Sequence, residues 1–394
     1  MRRFSRLFAK GLICLLIMAH PALTNAFETD QYDLSPEPLA DIGDEVSDYI
    51  QQNVQEALHD LNIQIDSFES CLRSPTEVTG KTCNQDRASR ELAFWRSERA
   101  LTRAVYDKLG KGPAPFSKIE HWMDSHQFRL KPARYRLSVW KSLFFFWPVD
   151  SLTLSPTVNL YGYEFGIDKF GHIFQQGYTY YTIYTRALDD GLPPDDARQK
   201  ATRWGSAMED TLFGTLLTGV YSNGDLFANY VGMKFYEGLT HDLKIGERYR
   251  PAVAVLKDGR WTLNSDARLR MVLLRPFISN HLNEALNPSI FTNTLGLRAY
   301  IRRKVANRSC QRWLTAYPDL TRASVQEESD SLTTWYGEKY GFKNSEHFIT
   351  IANTCFDDNG MPKTRGLIAR NGRPGRTFPT ISPLASLDVD TRDH

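Results

Sequence analysis

Asp168, Lys169 and His172 stand almost side by side in "YGYEFGIDKFGHIFQQGYTYYTIY", Tyr161 to Tyr184. A carboxylate and an imidazole four residues apart face the same side of a helix. An imidazole among carboxylates supports two chemistries. It can move protons as a general acid and base, or it can help hold a divalent cation, as carboxylate-rich bundles do. Two later stretches add to the set: "WGSAMEDTLFGTLLTG" carries Glu209 and Asp210, and "SNGDLFANYVG" carries Ser222, Asp225 and Asn229. Burying such groups on an apolar background costs several kcal/mol unless they pair. The pattern therefore predicts that they meet. His172 and Glu209 are the candidate catalytic pair, within a polar network of Asp168, Lys169, Asp210, Ser222, Asp225 and Asn229.

Each residue also has a plainer use. Asp168 can cap a helix start. Ser222 and Asp225 fit a capping box with Asp in the place of Glu. Lys169 can neutralise Glu209 or Asp210, and His172 can be a satisfied core histidine. Capping does not account for Glu209 and Asp210 inside an apolar helix. The Glu-x-x-His and His-Glu-x-x-His spacings are missing from the set, as are Gly-x-Ser-x-Gly and a Walker loop. A divalent metal is thus open but not favoured, and no cofactor is named. No activated nucleophile is evident. Tyr161, Tyr163, Tyr178, Tyr180 and Tyr181 could stack on a sugar or line an acyl groove.

Three helices must position these groups. The first runs from Asp168 to about Leu188, ended by "DDGLPPDD". The second runs from about Asp195 to Thr218, and the third from about Ser222 to Leu239. Short links make neighbours antiparallel, within a central module over 151–245. Upstream, 43–150 begins with a helical hairpin. Val46, Tyr49, Ile50, Val54, Leu58 and Leu61 recur at helical spacing, and a second helix is expected over Ala88–Leu109. Tyr135, Leu137 and Val139 alternate like a strand. "LFFFWPV" (143–149) reads as buried core, or else as a surface that dips into a membrane or holds an acyl chain. Downstream, 246–357 is mixed. Asp258-Gly259 predicts a hairpin near 252–264, followed by helices over 280–306, 321–340 and 345–354. The fold class is mainly α, a helical bundle with one small β-hairpin.

The ends carry targeting information. Arg2, Arg3, Arg6 and Lys10 precede an apolar run from Gly11 to about Ala19, and Thr24-Asn25-Ala26 offers small residues for cleavage. Residues 1–26 read as a signal peptide, 27–41 as a linker, and 358–394 as a disordered tail. Removing 1–26 lowers Lys+Arg from 48 to 44 and leaves Asp+Glu at 46. The mature chain is near −2, which removes the electrostatic case for nucleic acid. No transmembrane span is expected after cleavage. Cys71, Cys83, Cys310 and Cys355 remain, an even set that suggests disulfides in an exported protein. Sequence proximity favours Cys71–Cys83 and Cys310–Cys355.

"DKFGH", then "ED" in a small-residue helix, then "SNGDLFANYVG" resemble the YfiM-like family of predicted periplasmic lipoproteins. More loosely they resemble VanZ-like membrane proteins. Asp168, Lys169, His172, Glu209, Ser222, Asp225, Leu226 and Gly232 match the family pattern. Met208 and Asn229 depart from it, standing where the family tends to carry Lys and Asp, and the lipoprotein cysteine is absent. The resemblance covers residues 168–240 only. It implies a helical envelope module of undefined activity.

The expectation from the whole sequence is an exported, periplasmic cell-envelope protein. Its primary reading is a non-catalytic structural protein, or one that binds lipid, glycan or an envelope protein. The alternative is an envelope hydrolase or transferase acting on lipid or glycan through His172 and Glu209.

Overall fold

The computed structural model describes residues 28–73, 83–112, 116–143, 154–211, 219–245, 248–265, 273–287, 289–291, 296–336, 340–341, 347–363 and 376–379. The expected signal peptide lies outside them, as does "LFFFWPV" beyond Leu143.

Helix α1 (Gly43–Arg73) forms because Val46, Ile50, Val54, Leu58, Leu61 and Ile65 make one buried stripe. Asp44 and Glu45 in its first turn and Arg73 in its last oppose the helix dipole. The single helix expected over 88–109 is two, α2 (Gln85–Trp95) and α3 (Glu98–Leu109). The Ser97 hydroxyl accepts from Ala100 N and starts α3 afresh. Cys71 pairs with Cys83 between α1 and α2. In α4 (Lys118–Ser125), Ser117 and Glu120 form a capping box.

The hairpin β1 (Thr157–Leu160) and β2 (Tyr163–Gly166) leads into the central helices. Helix α5 (Asp168–Gly171) passes through a π turn, His172–Gln176, into α6 (Gly177–Asp189). Helix α7 (Pro194–Asp210) begins with proline at its first turn. Strand β3 (Val220–Ser222) feeds α8 (Asn223–Glu237), which is buried on all sides from Asn223 to Tyr236. A helix covered all round belongs at the centre of a core. Its neighbour comes very close. A Cβ added at Gly232 would lie 2.1 Å from Ile173 O, and one at Gly177 would lie 2.5 Å from Gly232 Cα. Only glycine allows this backbone-to-backbone crossing.

Further on come β4 (Leu243–Ile245) and β5 (Arg248–Arg250), then β6 (Ala254–Lys257) and β7 (Arg260–Leu263). The last pair is the expected hairpin, turning at Asp258 (φ 49) and Gly259 (φ 73). Among the described residues the strands make four separate antiparallel pairs, including β3 with β8 (Ser289–Phe291). Helices α9 (Leu297–Lys304), α10 (Cys310–Ala316), α11 (Arg322–Tyr336) and α12 (Ile351–Cys355) follow. A second π turn, Val305–Ser309, joins α9 to α10. Cys310 pairs with Cys355.

Several expectations need correction. The stretch 27–41, read as a linker, is buried from Glu28 to Ser35. Tyr32 accounts for this: its ring is fully buried, its hydroxyl donates to Ile349 O at 2.6 Å, and its carbonyl accepts from Trp313 Nε1. Residues 135–139 form no strand. Tyr135 makes a single bridge to Thr157, and Val139–Lys141 is a 3-10 turn. The helix expected over 280–306 starts only at Leu297, because β8 leaves to pair with β3. Within 345–354 the described helix is confined to its end, starting at Ile351. In the tail, Arg376 donates to Ser35 O and pairs with Glu164, while Phe378 meets the Tyr317 ring.

Two apolar clusters form the core. The larger joins α1, α3, the central helices and the hairpin tryptophan Trp261. Trp261 Nε1 donates to Trp95 O, and Asn62 bonds the Trp261 backbone, so the hairpin packs on α1 and α2. The smaller cluster joins Tyr32 and Leu34 to α9, α10 and α12.

Candidate functional site

Helix α5 opens directly from β2, so Asp168 and Lys169 start a helix inside the core. The Lys169 side chain is fully buried. Its Nζ donates to Asp168 Oδ2, Asp225 Oδ1 and Glu284 Oε1, each at 2.6 Å. An ammonium has three protons, and all three are used. The surrounding bonds then fix the acids. Thr29 Oγ1 donates to Asp168 Oδ1. Ser222 Oγ donates to Glu284 Oε1 at 3.1 Å and accepts from Asp225 N at 3.0 Å, so it also caps α8. Gln31 Oε1 accepts from Glu284 N at 2.6 Å. Glu209 Oε1 accepts from Ser222 N at 2.9 Å.

His172 sits at the rim. Its Nδ1 pairs with Asn229 Oδ1 at 3.0 Å, and its Nε2 lies 3.4 Å from Asp225 Oδ1. Its side chain keeps 20% exposure, against 4% for Asp168 and Asp225 and none for Lys169 and Glu284. The π turn beginning at His172 shifts the helix register at this point; such bulges are frequent at functional sites.

The structure therefore brings together Asp168, Lys169, His172, Glu209, Ser222, Asp225 and Asn229. It does not join His172 directly to Glu209, which reaches the cluster through Ser222. Asp210 is excluded. One residue beyond Glu209 it has turned about 100° round the helix, and it is exposed. Tyr163, Tyr178, Tyr180 and Tyr181 pack within or against the core, while Tyr161 also lines an open cavity. Tyr180 and Tyr181 are buried, Tyr178 stacks on Tyr106 at 4.2 Å, and Tyr161 and Tyr163 lean on the core.

Acid outweighs base here. Glu28, Asp168, Glu209, Asp225 and Glu284 are all buried around Lys169. Burial opposes the lysine's charge, yet Asp168, Asp225, Glu284 and Glu28 outweigh it and hold the ammonium well above its ordinary range. Burial pushes Glu209 well above the usual carboxylate range, and Asp225 adds to this. Glu284 is raised by burial to about 7, with Lys169 opposing. Burial would raise Asp225 too, but His172 and Lys169 overcome it and leave it lowered. Behind α5, burial lifts Glu120 to about 8, and its carboxylate fills the space beside Gly171. Burial thus favours the protonated form of Glu209 and Glu284, while Lys169 favours the charged form of Asp225.

Among the described residues two triads have the spacing to hold a cation: Asp168, His172 and Asp225, and Glu28, Asp225 and Glu284. Both use Asp225, whose Oδ1 is already 2.6 Å from the lysine ammonium. A divalent ion would face that charge at close range. With Lys169 in place the donor set does not fit a metal.

Sequence reasoning missed Glu284, Glu28, Thr29 and Gln31. The stretch "SNHLNEALNPS" resembles an exposed helix, yet Ser279, Asn280, His281, Asn283, Glu284 and Asn287 are all buried. Burial lowers His281 to about 3, which keeps its ring neutral. An open cavity of about 750 Å³ is lined by Asp41, Asp44, Glu45, Asp48, Arg129, Leu130, Tyr161 and Arg275, none of them in the cluster. No helix among the described residues is long and apolar enough to cross a membrane. Comparison of the chain with protein-family models, curated proteins and solved structures finds no match.

Proposed function

We propose that this chain is an exported, periplasmic cell-envelope protein, akin to the YfiM-like proteins, that acts without catalysis as a lipid- or partner-binding scaffold. One observation carries the reading: Lys169 is fully buried and all three of its protons go to carboxylates. Those carboxylates come from α5, α8 and the 280–287 segment, and Thr29 ties in the start of the mature chain. Such a cluster fixes which segments meet, a role attested for buried polar groups in some proteins. Two disulfides suit an oxidising compartment.

A second reading, an envelope hydrolase or transferase on lipid or glycan, draws on His172 alone. Its imidazole is the cluster's partly exposed edge and could pass a proton between solvent and Asp225. His172→Ala in the mature chain separates the two. As a scaffold residue, its loss lowers Tm, and the wild type shows no hydrolysis of envelope lipids or glycans. An unchanged Tm with loss of a measurable hydrolysis replaces the scaffold by the enzyme. Neither change overturns both.

A further inference from the structure

Between Leu297 and Trp313 the chain has Arg298, Arg302, Arg303, Lys304, Arg308 and Arg312 and no acid. This is a local excess in a mature chain near −2. Asp33 neutralises part of it, pairing with Arg308 at 2.7 Å and with Arg312. Arg298 and Arg302 bond backbone carbonyls, of Phe291 and Phe348, each at 3.0 Å, which leaves their charges in place. Arg303 is exposed.

Two aromatic rings stand among these cations. Tyr300 is 40% exposed and lies one turn before Lys304, whose Nζ is 5.9 Å from its ring centre. Lys304 also donates to Ser142 O, and Arg308 donates to Lys141 O at 2.7 Å. These bonds hold the Val139–Lys141 turn against α9, and that turn presents Trp140 at 77% exposure beside the exposed Lys141.

We propose that this face docks the protein on an anionic phospholipid surface. Trp140 and Tyr300 enter the headgroup layer, where amphipathic rings are favoured. Lys141, Arg302 and Arg303 pair with lipid phosphates. The 77% exposed Trp140 beside Lys141 favours a membrane interface, and an acidic polysaccharide is an outcome of the test. The inference names the lipid surface behind the binding half of the proposed function, and it is independent of the Lys169 cluster.

The test is flotation of the mature chain with phosphatidylcholine vesicles, with and without phosphatidylglycerol. Binding is expected only with the anionic lipid, and it weakens as salt rises. Neutralising or reversing a cation near the surface costs about fivefold in partitioning. Lys141→Glu combined with Arg303→Glu should therefore lower binding at least about tenfold. Trp140→Ala should lower it several-fold while keeping the salt dependence. Both variants should melt like the wild type, since neither site is buried. Equal binding to the two vesicle types, or a charge-reversed variant that binds like the wild type, overturns the proposal. So does retention on heparin without vesicle binding, which points to an acidic polysaccharide instead. Loss of vesicle binding with Tm intact leaves the scaffold reading standing, and a failed scaffold test leaves the flotation result unaffected.

Discussion

The α1–α3 hairpin and the α5–α8 module bury apolar faces in the same large cluster, yet they place their charges oppositely. In the hairpin the ion pairs lie at the surface. Lys108 pairs with Asp60 at 2.9 Å, and Arg96 and Arg260 pair with Glu69, all partly exposed. In the module Lys169 and the carboxylates around it lie in the core. Water can replace a partner lost from the hairpin, but it cannot reach most of the cluster. The module should therefore be intolerant of any change that leaves its charges unbalanced, and the hairpin tolerant.

The largest contrast is expected at Lys169. Lys169→Met keeps the length of the side chain and strips the acids of their cation. It should cost about 3–5 kcal/mol, read as a collapse of Tm or a failure to fold. Next is the helix crossing. Gly232→Ala drives a methyl into Ile173 O and should cost at least about 1–3 kcal/mol by denaturant melt. A further effect comes from pH. Glu120 keeps its proton to about 8 in the folded state, while the unfolded chain releases it near its ordinary value of 4.5. Its contribution is therefore full below pH 4.5 and is lost as pH rises to about 8, at no more than about 1.4 kcal/mol per pH unit. Glu284 acts with the same sign up to about 7. Tm should fall between pH 6 and pH 8, and Glu120→Gln should remove most of the fall above pH 7. The smallest effect is expected in the hairpin, where Glu69→Gln should cost about 1 kcal/mol or less and be sensitive to salt. A Glu69→Gln cost equal to that of Lys169→Met would erase the contrast.

The same contrast separates what was legible in the sequence from what was not. The α1 stripe, the Asp258-Gly259 hairpin and the central helices follow from local periodicity and turn chemistry. The meeting of Asp168, Lys169, His172, Ser222, Asp225 and Asn229 also followed, because helical spacing sets their faces. The break at Ser97 was missed, because the apolar pattern runs on through the serine cap that restarts the helix there. The rest depends on distant partners. Lys169 and Glu284 are separated by 115 residues, and Thr29 and Asp168 by 139. Nothing local says that the acids Glu28, Asp30 and Asp33 enter a core. Nothing local distinguishes "SNHLNEALNPS" from an exposed helix until Lys169 needs Glu284.

The most direct test of a sealed, lysine-centred cluster is thermal melting of the mature protein with and without EDTA, beside metal analysis of the same sample. The account predicts no stoichiometric divalent metal and an unchanged Tm, because the Lys169 ammonium holds the position between the carboxylates. One metal per chain, with a Tm that drops on chelation, would contradict it and make Asp168, His172 and Asp225 a metal centre.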